Sequence, residues 1–120
     1  MFARGAIGDR GGLNFFLDSG PVSLHPSEGG GIRQAAAMAD PRSWVRLGID
    51  AAEVQKEAFE LGRPIRLGPL ERTGHLAVSK DASSWRSFGG LRIDAIVSHA
   101  FLCRYSWTID FASRRFIFGR

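Results

Sequence analysis

The chain has 120 residues, 44% of them hydrophobic and 23% charged, which suits one folded domain with its own core. A single cysteine, Cys103, excludes an internal disulfide and fits a reducing, cytoplasmic compartment. The formal charge of +4 comes from 14 arginines and two lysines, but they are scattered and not interleaved with aromatics, which argues against a nucleic-acid partner.

Fifteen glycines and nine phenylalanines tilt the composition toward β structure with many turns. The uncharged runs are too short to span a bilayer. The segment Met1-Phe2-Ala3-Arg4-Gly5 also lacks the basic region and apolar core of a signal peptide, so a soluble chain without a membrane partner is expected.

Residues 2–8 alternate loosely and predict a strand, with Asp9-Arg10-Gly11-Gly12 as the turn into a second strand. In that strand Leu13, Phe15 and Leu17 share one face at period two. It runs into Asp18-Ser19-Gly20, a carboxylate at the end of an apolar run followed by residues that permit a tight turn and a close approach. Such a trio is also ordinary turn chemistry, so its meaning depends on the rest of the chain.

Pro21 to Pro26 reads as turn-rich, and Gly29-Gly30-Gly31 as a flexible loop. Gln34 to Ala39 is alanine-rich enough to predict a short helix that Pro41 ends. A better helix is expected over 50–61, with Asp50 as cap, Glu53 completing a capping box, Val54, Ala58 and Leu61 on one face, and Gly62 as the stop. Strands return at Ile65 and Leu67, turn at Gly68-Pro69, and continue from Thr73 to Ser79. Asp81 to Ser84 is expected as a loop, with Trp85 and Phe88 leading to Gly89-Gly90. A strand is expected from Leu91 to Val97, followed by a short helix capped by Ser98 and running through Cys103. A hairpin turning at Ala112-Ser113-Arg114 ends the series. Phe101 and Leu102 are expected beneath the sheet, because a short helix must hide its apolar face.

The segment from Ile96-Val97-Ser98-His99-Ala100-Phe101-Leu102 through Ser106-Trp107-Thr108-Ile109-Asp110-Phe111 to Arg115-Phe116-Ile117-Phe118 resembles the C-terminal part of retropepsin-like aspartyl proteases. In that family an apolar pair precedes a short helix containing Phe-Leu, and a strand of the Thr-Ile-Asp type follows. Asp18-Ser19-Gly20 stands where the family has Asp-Thr-Gly or Asp-Ser-Gly, so both landmarks lie in family order; residues 25–70 are largely unmatched and show no convincing flap hairpin. The resemblance implies a mainly β fold, one closed, barrel-like acid-protease lobe spanning 1–120 with one or two short helices. It implies Asp18 as the catalytic carboxylate, Ser19 bracing the loop, Gly20 allowing close approach, and Ile96 and Val97 supporting the loop from behind. It also implies a peptide or protein substrate and a second Asp from a homodimer partner or from a tandem lobe, of which this chain would be the C-terminal one. The chemistry needs no cofactor or metal.

Pro21, Ala95 and Ser98 depart from the family pattern, and Ser98 replaces a Gly where its Cβ either crowds the Asp18 loop or caps the next helix. A lobe without activity that binds peptides or a partner therefore stays open as the alternative. His25, His75 and His99 are too far apart for a local metal motif. Asp110 is expected to face solvent or brace its hairpin, and Asp94 to face solvent. Trp44, Trp85 and Trp107 are expected in the core or at a lobe interface.

Overall fold

The first hairpin shows how the sequence builds the sheet. In the computed structural model, which describes residues 1–20, 23–54, 56–81 and 87–119, strand β1 (Phe2–Ile7) pairs antiparallel with β2 (Arg10–Asp18). The connection is tighter than expected: Ile7 lies opposite Arg10, so Gly8 and Asp9 alone make the turn, with Gly8 at φ 57°. Leu13, Phe15 and Leu17 are buried, as their spacing requires. Gly5 is a close approach, since a Cβ there would lie 2.3 Å from the Phe15 ring and 2.5 Å from the Arg66 carbonyl oxygen.

Residues 24–34 fold into a small hairpin of β3 (Leu24–Pro26) and β4 (Ile32–Gln34), and Gly29-Gly30-Gly31 forms its tip. The helix expected over 34–39 is absent. Ala37–Ala39 is instead strand β5, lying between two other strands with Ala37 and Ala39 fully buried. Alanine's helix preference is worth a few tenths of a kcal/mol per residue against its competitors, and the hydrogen bonds of two neighbouring strands outweigh it. Pro41 then begins a helix rather than ending one. In α1 (Pro41–Arg46) it occupies the first turn, where its missing N–H costs nothing, and Asp40 caps the helix. Trp44 is fully buried with its Nε1–H donating to the Val78 carbonyl at 3.3 Å.

The long helix expected over 50–61 shrinks to α2 (Ala51–Val54). Asp50 does cap it, accepting from Ala52 N–H at 2.8 Å. Beyond it, Ala58–Leu61 is strand β6, in which Phe59 and Leu61 are buried while Glu60 is exposed. That alternation competes with the helical spacing of Val54, Ala58 and Leu61, and the partner strand decides between them.

Strands β7 (Ile65–Leu67) and β8 (Leu70–Arg72) turn at Gly68-Pro69 as expected, and β9 is His75–Ser79. The strand expected from Leu91 to Val97 divides in two: β10 (Ser87–Phe88) pairs with β11 (Leu91–Arg92), and β12 (Ala95–Ser98) enters the main sheet. Helix α3 (His99–Leu102) follows, then the hairpin of β13 (Ser106–Asp110) and β14 (Arg115–Gly119). Pro21, Trp85 and the loop at 82–84 lie outside the described residues.

Among the described residues the main sheet has eight strands in the order β6-β9-β5-β12-β2-β1-β7-β8 and curls into a half-barrel. Two of its contacts are parallel, β2 with β12 and β5 with β9. Phe101 and Leu102 are fully buried in its core, as expected.

Candidate active site

Strand β2 delivers Asp18 to one end of the sheet, and β12 runs parallel beside it. The register places Ile96 beside Phe16, Val97 beside Leu17 and Ser98 beside Asp18. The six residues singled out in the sequence, Asp18, Ser19, Gly20, Ile96, Val97 and Ser98, are thus drawn from two ends of the chain to adjacent strand ends. Asp18 is half-buried, and its Oδ1 accepts from the Gly20 N–H at 2.9 Å, which closes the turn over the carboxylate. A Cβ on Gly20 would stand 3.3 Å from that same oxygen.

Val97 and Ser98 are fully buried and Ile96 nearly so, giving the Asp18 strand a dry flank. The Ser98 hydroxyl does two jobs. It donates to the Ala35 carbonyl and accepts from the Ala100 N–H at 3.2 Å, capping α3. The departure from glycine is therefore absorbed as a helix cap. Below it, the Phe101 ring lies 5.5 Å from the His75 ring.

Asp94 corrects its expectation of solvent exposure. It is buried, with Oδ2 accepting from the Asn14 N–H at 2.8 Å and Oδ1 paired with Arg92 Nε at 3.1 Å. The Asn14 amide also donates to the Arg92 carbonyl at 3.0 Å, so this group ties down the start of the parallel β2–β12 pair. A lone acid in a short alternating run gives no signal of such a role. Asp110 braces its hairpin, accepting from the Ser113 N–H at 3.0 Å, and that bond holds its carboxyl below the usual carboxylate range.

The three histidines are not brought together. His25 hydrogen-bonds Ser23 Oγ at 2.7 Å, His99 is exposed, and His75 is buried with Nε2 unpartnered among the described residues. Burial, reinforced by Arg72, Arg33 and Arg104, lowers the His75 pKa to about 4. Among the described residues no group of three His, Cys, Asp or Glu side chains is placed to hold a metal. No described helix is long and apolar enough to cross a membrane.

No protein-family model matches this chain, and no curated protein does. Among solved structures it is similar to the retroviral protease-like domain of Ddi1 from Leishmania major, with a TM-score of 0.57 over 98% of this chain and 85% of that chain. The fold is retropepsin-like. Sequence identity with that domain is 16%, so the likeness is one of fold. In this retropepsin-like lobe the Asp-Ser-Gly turn stands at the end of a strand flanked by the parallel β12, and the short helix with Phe101 and Leu102 packs behind it.

Proposed function

We propose that residues 1–120 form a single lobe of an aspartic endopeptidase in which Asp18 is the catalytic carboxylate. The observation that carries this reading is the pairing of Ser98 with Asp18 across parallel strands, which brings the two family landmarks of the sequence to one place. Ser19 braces the loop against its counterpart, Gly20 keeps the approach to the carboxylate open, and Ile96, Val97 and Ser98 hold the loop from behind.

Hydrolysis by this chemistry needs two carboxylates. Held close, they cannot both ionise cheaply, so one proton is shared: one oxygen takes a proton from the attacking water while the other gives one to the substrate carbonyl. The two buried acids, Asp40 and Asp94, are poorly placed to help. Antiparallel pairing of β5 with β12 sets Ala37 beside Val97 and Met38 beside Ile96, which sends Asp40 toward Asp94 at the far end. Asp94 itself stands four residues from Ser98, about 13 Å along the strand. The second carboxylate is therefore assigned to a second copy or to another lobe, and a two-fold axis between two Asp18 loops is the economical arrangement.

A second reading, a lobe without catalytic activity that binds peptides or a partner, draws on Ser98, whose side chain occupies a position that is glycine in the family pattern. Peptide cleavage between acidic and neutral pH, measured beside Asp18→Asn and with sedimentation of the same sample, separates the two. Cleavage that needs Asp18 and follows the dimer supports the peptidase. A monomer that still cleaves refutes the shared site, and peptide binding without cleavage in a dimer favours the second reading.

A further inference from the structure

At the end of the sheet away from Asp18, three arginines from separate parts of the chain converge on one cavity of about 220 Å³. Arg10 comes from the start of β2, Arg46 from the last turn of α1 and Arg92 from β11, with Ser43 and Asp94 completing the polar lining. Leu13 and Leu47, both buried, supply apolar wall. Leu13 precedes Asp18 by five strand residues, about 17 Å.

The charges around this opening do not balance. Three arginines and one acid line it, and that acid's carboxylate is already engaged by the Asn14 N–H and Arg92 Nε. Among the described residues Arg10 makes one ion contact, a long one of 3.9 Å to the exposed Asp9, which Arg63 shares at 3.5 Å. Arg46 has no acidic partner among the described residues; its Nη2 donates to the buried Ser43 Oγ at 3.3 Å, which orients the guanidinium. Like charges gathered beside an apolar wall repel one another, and an anion between them turns that repulsion into attraction.

We propose that this cavity is a binding site for a small tetrahedral oxyanion, a phosphoryl or sulfuryl group. Guanidinium forks match the oxygens of such groups two at a time, and Arg10 from β2 and Arg46 from α1, with Arg92 from β11 beside them, suit a tetrahedral ligand better than a planar carboxylate. The volume lies below the range of drug-sized pockets, which fits a single anionic group. The site is independent of Asp18 and stands or falls without the peptidase reading.

The test titrates the full chain with inorganic phosphate, sulfate and acetate at constant ionic strength, following binding by calorimetry and backbone amide shifts by NMR. Saturable binding of phosphate or sulfate is expected, tighter than acetate, with shifts at Gly11, Leu47 and Arg92 and none at Asp18 to Gly20. A preference between phosphate and sulfate identifies which group the site reads. Arg46→Gln and Arg10→Gln, at exposed positions, should each weaken binding by about 10-fold or more and leave the anion-free melting temperature unchanged. Arg104→Gln, an exposed arginine outside the cavity, should leave binding unchanged. Linear, non-saturating titrations, acetate binding as well as phosphate, or equal weakening by Arg104→Gln would overturn the proposal.

Discussion

Asp18 and Asp40 begin from the same local chemistry and end in different roles. Asp18 ends, and Asp40 directly follows, a strand of a parallel pair, and each accepts a hydrogen bond from the backbone N–H two residues on, Gly20 for Asp18 and Arg42 for Asp40, both at 2.9 Å. Asp40 is then followed by Pro41 and becomes the cap of α1, buried and paired with Arg42 Nε at 3.0 Å. Asp18 is followed by Ser19 and Gly20, stays half-exposed, and among the described residues takes its one hydrogen bond from Gly20. The next residue thus decides whether such an acid is taken up by a helix N-terminus or left half-exposed in a turn.

Replacing each acid separates the two roles most directly. Asp18→Asn is expected to abolish peptide cleavage with an equal or higher melting temperature, because a carboxylate held for chemistry is rarely the stability optimum. Asp40→Asn should keep cleavage, since asparagine caps a helix nearly as well. If folded Asp40→Asn protein also loses cleavage, the division of roles is wrong.

The packing behind Asp18 comes next. Phe101→Ala removes a fully buried ring from beneath that end of the sheet and should cost about 3–5 kcal/mol in denaturant unfolding. A loss under about 1 kcal/mol would mean that α3 does not support the site as described.

His75, against Phe101, gives the Asp18 end a pH dependence. Its folded pKa is about 4, against an ordinary value of 6.5 once unfolded, so below 6.5 the unfolded chain binds the extra proton. Stability from neutral burial is complete above pH 6.5 and drains away between 6.5 and 4, by about 3 kcal/mol. Melting of wild type and His75→Leu across that window checks this: the variant should lose the part of the slope that His75 supplies, and an unchanged slope would assign it to other groups.

The smallest effect is expected at the other acid. Asp40→Ala should cost about 1 kcal/mol through the lost cap. Its ion pair adds little, because the Arg42 side chain is 71% exposed. A loss above about 3 kcal/mol would show that Asp40 holds more than one helix end.

Much of the Asp18 end was legible because its signals are local. Leu13, Phe15 and Leu17 alternate without interruption, Asp-Ser-Gly permits few readings once placed at a strand end, and Ser98 followed by Phe101-Leu102 carries a cap and an apolar face within five residues. Residues 34–61 misled because their signals were weak and met strong competitors. Alanines 35–37 and 39, with Met38, satisfy a helix by propensity, yet β12 and β9, contributed from residues 95–98 and 75–79, offer residues 37–39 a ladder on both sides. Asp94 and the arginines around its cavity were invisible for a related reason: Arg10, Arg46 and Arg92 share nothing in sequence, and only the curl of the sheet against α1 brings them together.

The sequence by itself determined the strand that ends in Asp18, the capped helix behind it, the terminal hairpin and the mainly β class, because alternation, caps and turns act over a few residues. Tertiary structure alone decided that 37–39 and 58–61 are strands, that Asp94 is buried, and that Ser98 lies beside Asp18. Those outcomes depend on hydrogen bonds and burial supplied from 14 to 80 residues away, as between Leu61 and His75, or Asn14 and Asp94, which no local pattern encodes.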